Sequence, residues 1–178
     1  MKTRGFEVVT SFSDQNINIP QRATNKAAGY DFEAANDVVI PSIWKAGLNT
    51  AFKTLLNTVR QPDEALADEK AFKPTLVATG IKAYMGDSEF LQLANRSSNP
   101  LKRLLVLSNG IGVIDSDYYE NPDNEGHIMF QLTNFGLRDV QIKKGERIGQ
   151  GIFLPFLKAD QDETGGQRTG GFGSSGKD

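Results

Sequence analysis

The run Ile114-Asp115-Ser116-Asp117-Tyr118 carries the residues best suited to chemistry. Asp115 follows two apolar residues, Val113 and Ile114, in a β-rich context. Partial desolvation there raises the basicity of a carboxylate, which makes Asp115 a candidate general base. Tyr118, three residues on, offers a flat face to a sugar or a base. The same residues also fit an acidic loop with Asp115 and Asp117 in water. Arg96-Ser97-Ser98 sets a guanidinium beside two hydroxyls, which suits an oxyanion such as phosphate and equally an ordinary surface turn. Residues 145–150 begin as a charged turn and become a strand, where Gln150 can donate to a phosphate or hold a backbone.

Residues 168–176 read Arg-Thr-Gly-Gly-Phe-Gly-Ser-Ser-Gly. Such a segment has little apolar area to offset its ordering entropy, so a flexible arm is expected. It retains a cation at Arg168, a ring at Phe172 and hydroxyls at Ser174 and Ser175. Those groups fit an arm that closes over a phosphorylated, ring-bearing ligand. Gly171 to Lys177 also spells G-x-x-x-x-G-K, but Asp178 stands where a P-loop needs Ser or Thr.

The elements that must position these groups come from a chain of 178 residues, enough for one domain with a real core. A net charge of −2 and a pI of about 5.5 argue against nucleic-acid or membrane-surface partners. The absence of cysteine excludes disulfides and thiolate chemistry, and a single histidine, His127, disfavours multi-His metal sites. Residues 1–10 lack the apolar core of a signal peptide and no run approaches transmembrane length, so a soluble, cytoplasmic protein is expected.

Short β-rich runs at 6–10, 27–34, 37–41, 75–83, 89–94, 103–107, 140–142 and 147–156, with a further short run at 16–20, predict an all-β sandwich or jelly roll. Residues 112–119 and 126–134 read as the two arms of one hairpin. Residues 43–73 differ: Leu48, Phe52, Leu55, Leu56 and Val59 fall at helical spacing, which predicts a helical insertion. Its expected role is a lid over one face of the core, with a protein-partner contact as the sharper alternative. The expected organisation is a β domain over 1–158 and a Gly-rich arm over 159–178.

Five segments in order resemble the five motifs of the trimeric dUTPase family. They are Ala28-Gly29-Tyr30-Asp31, Arg96-Ser97-Ser98, residues 109–118, residues 145–150 and residues 168–176. The resemblance implies a jelly-roll or distorted β-barrel that hydrolyses dUTP to dUMP and pyrophosphate. It implies that Asp115 is the base that deprotonates the attacking water, and that Tyr118 packs under the deoxyribose and leaves no room for a 2′-hydroxyl. Asn109, the backbone near Val113 and Ile114, and Met129 would read uracil. Arg96, Ser97, Ser98 and Gln150 would cradle phosphates, with Phe172, Arg168, Ser174 and Ser175 closing from the arm.

The resemblance further implies Mg²⁺ carried mainly by the triphosphate and waters, with Asp31 orienting one water, and a homotrimer with active sites between subunits. Its neighbours in chemistry are a dCTP deaminase of the same superfamily, against which the Ile-Asp-Ser-Asp-Tyr run argues, and a nucleotide-switched regulatory protein using the insertion as its contact surface. Three departures stand out, one being the 43–72 insertion, which is absent from the compact family pattern. Tyr119-Glu120-Asn121-Pro122-Asp123-Asn124 intervenes where the family has a shorter run before Glu125-Gly126, and Asn95 stands where Pro is common.

Overall fold

The computed structural model describes residues 2–45, 48 and 73–163. The insertion expected at 43–73 falls almost wholly outside the described residues, as does the arm from residue 164 onward with Arg168, Phe172, Ser174 and Ser175.

Twelve strands form among the described residues: β1 (Gly5–Val8), β2 (Gln21–Arg22), β3 (Tyr30–Glu33), β4 (Val38–Ile40), β5 (Thr75–Ala78), β6 (Ile81–Tyr84), β7 (Glu89–Asn95), β8 (Leu105–Leu107), β9 (Gly112–Asp115), β10 (Met129–Asn134), β11 (Val140–Ile142) and β12 (Arg147–Pro155). They sort into a five-stranded sheet in the order β2-β3-β12-β7-β9, a three-stranded sheet β5-β10-β8, and the pairs β1-β6 and β11-β4. This is the all-β, jelly-roll architecture expected from the sequence.

The core lies between the two larger sheets. Phe32 of β3 and Phe130 of β10 are fully buried, with ring centroids 5.6 Å apart. Burying each such ring stabilises the fold by about 1.5–3 kcal/mol. Alternation assigns the faces: Phe130 and Leu132 point inward, while Met129 and Gln131 line the outside. On β12, Gly149 and Gly151 sit where a β-carbon would strike the rings of Phe130 and Phe32, so those rings lie directly against the strand. Gln150 therefore takes the opposite face.

Several boundaries differ from the sequence expectation. Residues 16–20 carry no strand, and the first strand ends at Val8 before a 3-10 turn at Thr10–Phe12. The expected strand over 75–83 is two strands in different sheets, broken at Gly80, whose φ of +70° suits glycine. Arg103 belongs to the π-helical turn Asn99–Arg103, and Leu104 is left-handed, so β8 starts only at Leu105.

The expected hairpin of 112–119 with 126–134 does not form. β9 pairs with β7, whereas β10 sits between β5 and β8 in the other sheet. The reason is local. After Asp115 the chain turns through a 3-10 turn, Ser116–Tyr118, that buries Tyr118, and the following loop closes on its own side chains. Both flanks of β10 already have partners, so β9 and β10 stay apart and a cleft opens between them.

Candidate active site

That cleft, of about 220 Å³, is lined by Asn109, Val113, Ile114, Asp115, Tyr118 and Met129, together with Leu93, Gly112, His127 and Gln131. β9 is the edge of its sheet, so alternate backbone N–H and C=O groups of this strand face outward rather than into a ladder. Asn109 precedes Gly110, whose φ of +71° makes the sharp turn into β9. Asp115 ends β9 and Tyr118 ends the 3-10 turn that follows. Both side chains line the same cleft, one before and one at the end of that turn. Val113 stays exposed at the rim, and Ile114 packs onto the core.

The Tyr118 hydroxyl donates to the His127 carbonyl at 3.1 Å and accepts from Asn124 Nδ2 at 2.7 Å. His127 is buried and accepts the Gly80 N–H on Nε2 at 2.9 Å, which leaves the ring proton on Nδ1. Desolvation holds its pKa below the usual histidine value, so the ring is neutral. The nearly buried Lys82 pairs with Glu120 and, at 2.7 Å, with Glu125. Those hydrogen bonds outweigh the cost of burial and raise the pKa of the ammonium.

A second group gathers at the other end of β7. Asp31 Oδ2 pairs with Arg147 at 3.0 Å and Asp31 Oδ1 with Arg96 at 3.4 Å. Gln150 lies opposite Asp31 on one side and Ala94 on the other. Its amide donates to the Asn95 carbonyl at 3.2 Å, which is the backbone-holding role. Among the described residues no acceptor takes the second amide hydrogen of the side chain. Ser97 and Ser98 occupy the turn after β7, Ser97 exposed and Ser98 half-buried. Asn99 secures this turn from below: its buried Nδ2 donates to Asn95 Oδ1 and to the Ile148 carbonyl, each at 2.8 Å. A polar cleft of about 380 Å³ opens beside Asp31, Glu33, Arg22 and Arg147.

The sequence-predicted residues thus fall into two sets. Asn109, Val113, Ile114, Asp115, Tyr118 and Met129 share one cleft. Arg96, Ser97, Ser98, Gln150 and Asp31 share the other end of the sheet. Asp115 is paired with Phe90, and Arg96 lies six residues further along, past the end of β7. At roughly 3.3 Å per residue the two ends stand about 20 Å apart. Within this chain Asp115 and the Arg96–Ser98 turn are therefore far apart.

Arg147, Asn95, Asn99, Asn124 and His127 went unassigned from sequence. Arg147 had a signal, since it lies inside the 145–150 segment. The asparagines had none: the carbonyls of Leu105 and Ile148 reach Asn95 and Asn99 only on folding, and Asn124 meets the Tyr118 hydroxyl only through the shape its own loop adopts.

A model of the dUTPase family matches residues 62–176, which takes in four of the five segments. The deoxyuridine 5′-triphosphate nucleotidohydrolase of Lactococcus lactis is 48% identical over 99% of this chain and 99% of its own length. The chain belongs to the dUTPase family. The fold agrees with that membership. The crystal structure of dUTPase from Streptococcus mutans superposes with a TM-score of 0.68 at 42% identity, covering 88% of this chain and 98% of that one. The dUTPase from phage phi11 of S. aureus shares the fold at a TM-score of 0.63 and 15% identity, covering 92% of this chain and 96% of its own. Among the described residues of this dUTPase-family chain, no helix is long and apolar enough to cross a membrane.

Proposed function

We propose that this chain hydrolyses dUTP to dUMP and pyrophosphate, and that the cleft between β9 and β10 takes the deoxyuridine. The supporting observation is the joint placement of Asp115 and Tyr118 in the lining of that cleft, beside the open edge of β9. The edge backbone at Val113 and Ile114 offers donors and acceptors in fixed order, which pairs with uracil and mismatches cytosine. Asn109 and Met129 close the remaining sides, and tight walls crowd a 5-methyl group. Tyr118 packs under the sugar.

Asp115 takes the proton of a water whose oxygen attacks the α-phosphorus. The bond from that phosphorus to the α–β bridging oxygen breaks, and pyrophosphate leaves with the electron pair. Arg96, Ser97, Ser98 and Gln150 hold phosphate oxygens. Because the base and this cradle stand at opposite ends of β7, a complete site uses the cradle of a second copy, which fits a homotrimer with shared sites. Arg168, Phe172, Ser174 and Ser175 close over the nucleotide from the arm.

The described residues do not form a cage for Mg²⁺. No three Asp, Glu or His side chains converge among them, and both oxygens of Asp31 face guanidinium groups. Asp31 therefore fits a partner of Arg96 and Arg147 better than an orienter of metal-bound water. Mg²⁺ enters as part of the substrate, chelated by the triphosphate and its waters.

Pyrophosphate release measured in parallel with dUTP, dCTP, dTTP and UTP, with and without Mg²⁺, tests this reading. Selective release from dUTP is expected. Ammonia from dCTP would move the chain to deamination, and tight dUTP binding without turnover would make it a nucleotide-binding protein.

A further inference from the structure

The loop after Tyr118 is where the chain departs from the shorter family pattern, and it spends strain to reach its shape. Glu120 and Glu125 both adopt left-handed backbone, with φ of 57° and 61°. Such residues persist only where surroundings over-determine them, and they cluster at functional sites. Lys82 supplies part of that constraint by pairing with both glutamates. Gly126 follows at φ 81°, where a β-carbon would sit 2.6 Å from the Tyr118 carbonyl oxygen.

Within this loop the hydrogen bonds converge on one side chain. Asn121 is buried; its Oδ1 accepts the backbone N–H groups of Asp123 and Asn124 at 3.1 and 3.2 Å. Asn121 Nδ2 donates to the Tyr118 carbonyl and to Asn124 Oδ1, each at 2.8 Å. Asn124 Oδ1 also accepts the Gly126 N–H at 3.1 Å. With its oxygen committed twice, Asn124 can only point its Nδ2 hydrogens the other way, at the Tyr118 hydroxyl.

We infer that Asn124 is a positioning residue that sets discrimination against ribonucleotides by pinning Tyr118 through its hydroxyl. The inference rests on the reading that Tyr118 packs under the sugar. A wall excludes an extra oxygen only as well as it resists receding. Packing alone holds a ring in its plane but leaves it free to slide along the cleft. Hydrogen bonds from Asn124 and to His127 fix the far end of the ring from two directions. The long loop is then the scaffold that delivers one amide to one phenol.

The test compares kcat/KM for dUTP and UTP in the full-length wild type, N124D, Y118F and the Y118F/N124D double variant. Asn124→Asp keeps both acceptor bonds to Gly126 and Asn121 and turns the donor facing Tyr118 into an acceptor; with one proton on the phenol, residue 124 and the His127 carbonyl can then no longer hold it at once. The expected result is a dUTP-over-UTP preference in the wild type that falls about fivefold in N124D, the worth of one hydrogen bond. Y118F should fall similarly, and the double variant no further than Y118F. A preference unchanged in N124D, or losses that multiply in the double variant, would overturn the inference while leaving Tyr118's role intact. A wild type that hydrolyses dUTP and UTP equally would overturn both.

Discussion

Gly29, just before β3, leaves room for Gln150: a β-carbon on Gly29 would collide with the side-chain amide of Gln150. Gln150 is thereby held where its amide reaches the Asn95 carbonyl, beside Arg96 and its two serines. Gly29→Ala should cost about 1–3 kcal/mol, as overpacking does, and should lower kcat/KM for dUTP by displacing the amide. Adding Gln150→Ala should recover the melting temperature but not the activity. Recovery of both would show that Gln150 does nothing for the substrate.

Asp115→Asn should keep nucleotide binding and lose turnover by roughly 10²–10⁴, the range of a lost general base. Calorimetric binding of a non-hydrolysable dUTP analogue and pyrophosphate release separate the two effects. Turnover like the wild type would remove Asp115 from the base role.

Asn99→Ala removes two buried hydrogen bonds, to Asn95 Oδ1 and to the Ile148 carbonyl. A loss of about 1–3 kcal/mol of stability is expected, read by urea denaturation. The turn carrying Arg96, Ser97 and Ser98 is fixed through Asn95 and Asn99, so KM for dUTP should rise as well. A stability loss with unchanged KM would show that the turn holds its shape without the latch.

Stability should fall in two steps on acidification. Burial holds the His127 pKa below its ordinary 6.5, so the unfolded chain takes up a proton that the folded ring refuses. That contribution is present above pH 6.5 and is lost as pH falls through the folded value. Hydrogen bonds from Lys82 and Thr10 hold Glu125 at about 2 against an ordinary 4.5. Its contribution is present above pH 4.5 and disappears as pH falls toward 2. Melting temperature against pH, compared between wild type and His127→Gln, isolates the first step. Identical curves between pH 7 and 5 would exclude His127 as its source.

Removing residues 165–178 should impair hydrolysis while leaving the melting temperature of the β domain nearly unchanged, because little apolar area lies in that segment. A large drop in melting temperature would make the arm part of the fold.

The sequence by itself determined the class of the fold and the identity of the chemical groups. Alternation put Phe32 inside and Asp31 outside on β3, and Asn109-Gly110 marked the turn into β9. Asp115 and Tyr118 were legible because their spacing is local, with one short turn, Ser116–Tyr118, between the strand end and the ring.

Only the tertiary structure decided how the strands paired. Residues 112–119 and 126–134 look like hairpin arms because proximity in the chain is all that a sequence shows. β7 takes β9, while β5 and β8 take β10, and the gap left between them is the cleft. The asparagines at 95 and 99 were silent for the same reason, and those at 121 and 124 because the shape of their own loop decides which neighbour each one meets. A polar side chain gains its meaning from the donor or acceptor that folding brings to it, and most of theirs come from backbone groups that no residue type announces.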